Sequence, residues 1–217
     1  MKYIRTYLVA SFCFFSIHLA LSQFQFSYQQ SITVNKLGVG LSLPWAGGLN
    51  YAQVSEIDID YDNDKDLFVF DRSNNQIRVF QHDVVGMNHQ YSFLPNSHGL
   101  FPADIRYRAF MADYNGDGKN DLFTYAVGGI MVYKNTGDAV NGLSWVLAKS
   151  LLYSDYWGSN LNLYVSSSDI PAIVDVDLDG DLDILTFHIG GQHVQYHQNQ
   201  SIELYGNADS LIYVLKN

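Results

Sequence analysis

Apolar residues along this chain fall in short runs, separated by clusters of acidic, amide and glycine residues. The runs at 67–70, 122–127 and 184–189 are rich in β-branched and aromatic residues and bounded by turn formers, which predicts strands. Each is followed by a turn signal (Ser73-Asn74-Asn75, Gly128-Gly129, Gly190-Gly191) and a second run, at 76–80, 130–133 and 192–196. A further strand-like run precedes each, at 53–57, 107–111 and 172–174. No long segment carries the 3.6-residue period of an amphipathic helix. The pattern predicts an all-β chain built from three copies of strand, acidic loop, strand, turn, strand, the grammar of an antiparallel sheet of about four strands.

The first apolar run has a different meaning. It covers residues 7–21, follows Met1, Lys2 and Arg5, and ends in Ala20-Leu21-Ser22. A charged start, an apolar stretch of about fifteen residues and small residues before the cut make a secretory signal peptide over 1–22, with cleavage before Gln23. The run is shorter than the roughly twenty residues that span a bilayer, so no membrane span remains after cleavage. The single cysteine, Cys13, lies inside the signal, and the exported chain 23–217 therefore has no disulfide to rely on. A secreted or cell-surface location follows as an expectation.

The formal charge of −10 suits neither nucleic acid nor an anionic membrane as a partner. Its distribution is more informative than its size, because 13 of the 22 acidic residues fall in three nine-residue windows, 58–66, 113–121 and 175–183. The windows align without a gap, 55 and 62 residues apart, the range in which repeat units recur. Their candidate ligands are Asp58, Asp60, Asp62, Asp64 and Asp66; Asp113, Asn115, Asp117, Lys119 and Asp121; and Asp175, Asp177, Asp179, Asp181 and Asp183.

Oxygen side chains at positions 1, 3, 5 and 9 suit one task, wrapping a Ca²⁺ ion, which takes six to eight oxygen ligands. Position 7 (Asp64, Lys119, Asp181) would lend a backbone carbonyl, so a lysine is acceptable there. Position 6 must tolerate positive φ, and it is Asn63, Gly118 or Gly180. An EF-hand needs a Glu at position 12, where this chain has Val69, Thr124 and Thr186, and it needs flanking helices where strands are predicted here. About three Ca²⁺ ions are expected, and Mg²⁺ resists such complete dehydration.

In series, these motifs resemble the FG-GAP or VCBS repeats, the calcium-binding blades of integrin-α-type β-propellers and of many bacterial secreted proteins. Asp175 to Asp183, Asp113 to Asp121 and the trailing Val132-Tyr133-Lys134-Asn135-Thr136-Gly137 carry the resemblance, which covers roughly residues 45–205. It implies a partial propeller of about three four-stranded blades whose ions tie loops together. Three blades cannot close a ring, so the expectation is a chain truncated at its C-terminus.

The implied function is extracellular binding or adhesion, with a glycan or a protein as ligand and no catalytic residues. A propeller scaffold of a polysaccharide-degrading enzyme, or an architectural spacer, are the alternatives. Tyr153, Tyr156 and Trp157 could stack on sugar rings, although packing between sheets accounts for them more simply. His188, His193 and His197 cluster in sequence but match no zinc spacing. No GxSxG or HExxH occurs.

Overall fold

The computed structural model describes residues 27–216. The signal segment 1–22 and Cys13 lie outside the described residues. The chain divides into two units, 1–32 and 33–217; residues 27–32 of the first have no helix or strand, and the described strands all lie in the second. No described helix is long and apolar enough to cross a membrane.

A short ribbon of β1 (Asn35–Lys36) and β2 (Val39–Gly40) comes first. The first sheet is the antiparallel meander β3 (Ala52–Ile57), β4 (Asp66–Asp71), β5 (Gln76–Val85) and β6 (Asn88–Leu94). The second repeats it with β7 (Ala109–Ala112), β8 (Asp121–Ala126), β9 (Gly129–Asn135) and β10 (Trp145–Lys149). Next come a hairpin, β11 (Tyr153–Tyr156) and β12 (Ser159–Asn162), then β13 (Ala172–Val174), β14 (Asp183–Phe187), β15 (Val194–Asn199), the short helix α1 (Ser201–Tyr205) and β16 (Tyr213–Leu215).

The chain is thus all-β, with antiparallel sheets of four strands in its first two copies. The third departs from that expectation. Its meander β13 to β16 is extended to six strands in the order β12-β11-β16-β15-β14-β13, because β11 pairs in parallel with β16. An unpaired edge strand presents free N–H and C=O groups, and the preceding hairpin takes them up. The strand expected at 107–111 also starts late: Tyr107 has φ 64° and the Arg108 amide turns back to the Arg106 carbonyl (2.7 Å), so pairing begins at Ala109.

The cores lie between consecutive sheets. Ile57, Ile59, Phe68 and Phe70 of the first copy pack with Ala109, Met111 and Leu122 of the second. Tyr114, Phe123 and Ile130 of the second pack with Ile184, Leu211 and Tyr213 of the third. Full burial of such a side chain contributes roughly 1.5–3 kcal/mol. Polar links cross the first gap as well: the Gln53 Oε1 accepts the Ala109 amide (3.1 Å) and the Ser55 hydroxyl accepts that of Met111 (3.2 Å). Beyond the third sheet the sequence of contacts stops. The residues matching Ile57 and Ile59 there are Val174 and Val176, 45% and 41% exposed.

Candidate metal centres in three acidic loops

Each acidic window connects two paired strands, and the loop is closed by the pairs Ile57 with Asp66, Ala112 with Asp121, and Val174 with Asp183. One hydrogen-bond scheme recurs in all three. The position-6 amide (Asn63, Gly118, Gly180) donates to Oδ2 of position 1 (Asp58, Asp113, Asp175) at 2.8–3.1 Å. The position-7 amide (Asp64, Lys119, Asp181) donates to Oδ1 of position 5 (Asp62, Asp117, Asp179) at 2.8–3.1 Å. Position 6 has positive φ in every copy, 73°, 84° and 104°.

Position 4 has positive φ too, at Tyr61 (62°), Gly116 (72°) and Leu178 (64°), which the sequence hides because only one copy has glycine there. A bulky residue in this region costs roughly 1–2 kcal/mol, which the loop scheme must offset. In the first copy the Tyr61 hydroxyl also donates to Asn135 Oδ1 (2.9 Å) and lies over Gly137, where a β-carbon would collide with it. The first loop is thereby seated on the second sheet.

The position-9 carboxylates, expected as ligands, are first of all buried anchors. Asp66 takes the amides of Ile59 and His82 (both 2.7 Å), Asp121 those of Tyr114 (3.2 Å) and Asn135 (2.8 Å), and Asp183 those of Val176 (2.9 Å) and Asn199 (2.8 Å). Each holds the start of its loop to the next strand but one. Position 7 differs among the copies: the Lys119 ammonium donates to the Gly137 carbonyl (3.1 Å), whereas the Asp181 side chain is buried and its Oδ2 accepts the Ile202 amide (3.0 Å).

Carboxylates, the anchor Asp183 among them, also converge in two copies. Ligand oxygens of Asp58, Asp60 and Asp62 lie within 4.8 Å of one another, as do those of Asp175, Asp177 and Asp183, and of Asp177, Asp179 and Glu203. Glu203, on α1, lies outside the repeat and gave no sequence signal. In the second loop Asn115 replaces an aspartate and the Lys134 ammonium stands 3.4 Å from Asp117. Lys134 precedes Asn135 as Gln81 precedes His82 and Gln198 precedes Asn199, and both glutamines donate instead to the position-3 aspartates, Asp60 and Asp177.

Burial first, and neighbouring carboxylates second, raise these acids. Burial, then Asp62, raises Asp60; burial also raises Asp66 and Asp183. Burial pushes Asp121 up to about 6 despite its two amides, and pushes Asp181 up to about 6 with help from Asp179, Asp183 and Glu203. Two carboxylate oxygens, Asp179 Oδ2 and Asp181 Oδ1, are buried with no hydrogen-bond donor among the described residues. A donor set made only of oxygens, with buried lone pairs left over, fits a hard divalent cation such as Ca²⁺.

Among the described residues, no convergent group of possible ligands contains a histidine. His188 and His193 stack across a turn (4.7 Å), while His197 is buried, bonded to the Ser154 hydroxyl (2.9 Å) and pushed down to about 4 by burial. Trp157 is 82% exposed and so does not pack between sheets. With Tyr156, Tyr164, His188, His193 and Asn162 it lines a groove of about 620 Å³. No protein-family model matches the chain, and no curated protein matches it.

Proposed function

We propose that this protein is an exported, calcium-binding repeat module of the FG-GAP or VCBS kind, with its three sheets as propeller blades and a binding rather than catalytic role outside the cell. The observation that carries the calcium reading is the pair of buried carboxylate oxygens in the third loop, Asp179 Oδ2 and Asp181 Oδ1, which no donor among the described residues satisfies. A cation supplies what they lack, and the common loop scheme extends the reading to Asp58, Asp60 and Asp62 and to Asp113, Asn115 and Asp117. The blade reading is supported by the serial packing of one sheet on the next, with β3 and β7 linked through Gln53 and Ser55. A glycan is favoured over a protein as ligand, because the groove beside Trp157 combines flat aromatic rings with the amides of Asn162 and Gln195.

Calorimetric titration of Ca²⁺ into chelated protein, followed by thermal unfolding, tests the first part. At a hundredfold excess over Kd each site contributes about 2.7 kcal/mol, or roughly 5–10 °C in Tm for a domain of this size. Absence of heat and an unchanged Tm would leave only acidic turns. Glycan-array retention that Trp157→Ala abolishes, with Tm unchanged, tests the second part; equal retention by the variant refutes it.

A further inference from the structure

The first and second loops are joined by hydrogen bonds that have no counterpart between the second and the third. Tyr61, at position 4 of the first loop, donates its hydroxyl to Asn135 Oδ1 (2.9 Å) across the gap between the sheets. Lys65, at position 8, donates to Asn120 Oδ1 (3.2 Å), and Asn120 is itself position 8 of the second loop.

The seat that receives Tyr61 is held by the end of the second loop. Asn135 is 1% exposed; its amide donates to Asp121 (2.8 Å), its Nδ2 to the Asn120 carbonyl (3.3 Å), and its Oδ1 also accepts the Gly137 amide (3.0 Å). The Lys119 ammonium donates to the Gly137 carbonyl (3.1 Å). Positions 7, 8 and 9 of the second loop thus each bond one of the two residues on which Tyr61 rests. Tyr61 has φ 62°, a left-handed conformation that a bulky residue disfavours, and its bond to Asn135 offsets part of that cost.

The second loop has nothing similar to offer the third copy. Its position 4 is Gly116, without a side chain, and Tyr114 meets the third copy through apolar packing. Asn199 matches Asn135 in donating its amide to the position-9 carboxylate (2.8 Å), but its Oδ1 accepts the amides of Gln200, Ser201 and Ile212 from its own copy.

We propose that the first and second loops bind their ions cooperatively, through Tyr61 and Asn135, while the third loop binds independently. The inference rests on the calcium reading of the loops. Positions 7 to 9 of the second loop, once fixed by binding there, steady the seat at Asn135 and Gly137, and the seat favours the first-loop conformation in which Tyr61 docks. By linkage, binding in the first loop favours the second to the same degree. Tyr61 is a positioning residue and not a ligand.

A Ca²⁺ titration followed by two-dimensional NMR at the position-6 amides of Asn63, Gly118 and Gly180 reads each loop separately in the full protein. Tyr61→Phe keeps the ring and leaves Asn135 Oδ1 with the Gly137 amide, so no buried acceptor is orphaned. Asp117→Asn, at an exposed position, weakens the second site. It is expected to weaken binding at Asn63 by about two- to tenfold, the contribution of one hydrogen bond, when the Tyr61 hydroxyl is present and not in Tyr61→Phe. Gly180 should titrate unchanged in every variant. An equal effect of Asp117→Asn at Asn63 with and without the hydroxyl, or none in either, would overturn the coupling while leaving the calcium reading in place. No ion-dependent shift at any of the three amides would overturn both.

Discussion

In the second acidic loop Lys134 stands 3.4 Å from Asp117 and an asparagine occupies position 3. In the third loop Gln198 takes the place of Lys134, position 3 is Asp177, and Glu203 adds a further carboxylate. The bonds from the position-6 and position-7 amides to positions 1 and 5, and those to the position-9 acceptor, are nonetheless the same in the two loops. One loop conformation can therefore carry either a paired ammonium or additional carboxylates. Side chains that shape the loop are separable from those that set its charge, and the proposed calcium binding would depend on the latter.

The shared part of the scheme predicts the largest effect. Asp121→Ala strips two buried amides, of Tyr114 and Asn135, of their acceptor, and each orphaned donor costs about 1–3 kcal/mol. A loss of roughly 2–4 kcal/mol is expected with and without Ca²⁺, and Asp183→Ala should lose as much. Denaturant midpoints measured in chelator and in Ca²⁺ check this. A loss confined to the Ca²⁺ samples would mean that position 9 acts as a ligand only, and the distinction between anchors and ligands would collapse.

A middle-sized effect should follow pH at Asp181, a position that is a lysine in the second loop. Burial pushes Asp181 up to about 6 from an ordinary 3.8, so the chelated folded state holds that proton more tightly than the unfolded chain. Its ionisation leaves stability unaffected below pH 4 and erodes it as pH rises from about 4 to 6. Asp181→Asn should match the wild type near pH 4 and exceed it at pH 7 by about 1–2 kcal/mol after solvent screening. His197 runs the other way: lowered to about 4 by burial, it takes stability away as pH falls from 6.5 towards 4. Subtracting wild type from variant at each pH cancels that contribution, and a flat difference would refute the assignment.

The smallest effect concerns Lys134. Its pair with Asp117 is partly solvent-exposed, and such pairs contribute about 0–1 kcal/mol. Lys134→Gln gives the second loop the amide of the other two, so its Ca²⁺ affinity should rise by up to about fivefold, since the ion no longer competes with an ammonium. Site-resolved titration that showed weaker binding in the variant would remove the lysine from the comparison.

Much of this was legible in the sequence because the chemistry of each loop is local. Nine consecutive residues carry the position-1, position-3 and position-5 oxygens and the left-handed position 6, and the strands on either side alternate or run apolar over four to six residues. Position 4 escaped because Tyr61 and Leu178 adopt a conformation that their types disfavour, under constraints set by the rest of the loop. The strand at Ala109 was misplaced by two residues because Arg108 turns inward to donate to carbonyls of Gly129 (2.7 Å) and Ser166 (2.6 Å), partners 21 and 58 residues away.

By itself, the sequence determined the all-β class, the threefold repeat and the places where carboxylates gather, since periodicity and ligand spacing act over a few residues. Tertiary structure alone decided the rest. Sheet register turned Asp66, Asp121 and Asp183 into anchors by delivering amides 14 or 16 residues away. Parallel pairing of β11 with β16 widened the third sheet, and α1 carried Glu203 to Asp177 and Asp179. These contacts depend on how distant segments meet, and composition or spacing does not encode that meeting in any short window of residues.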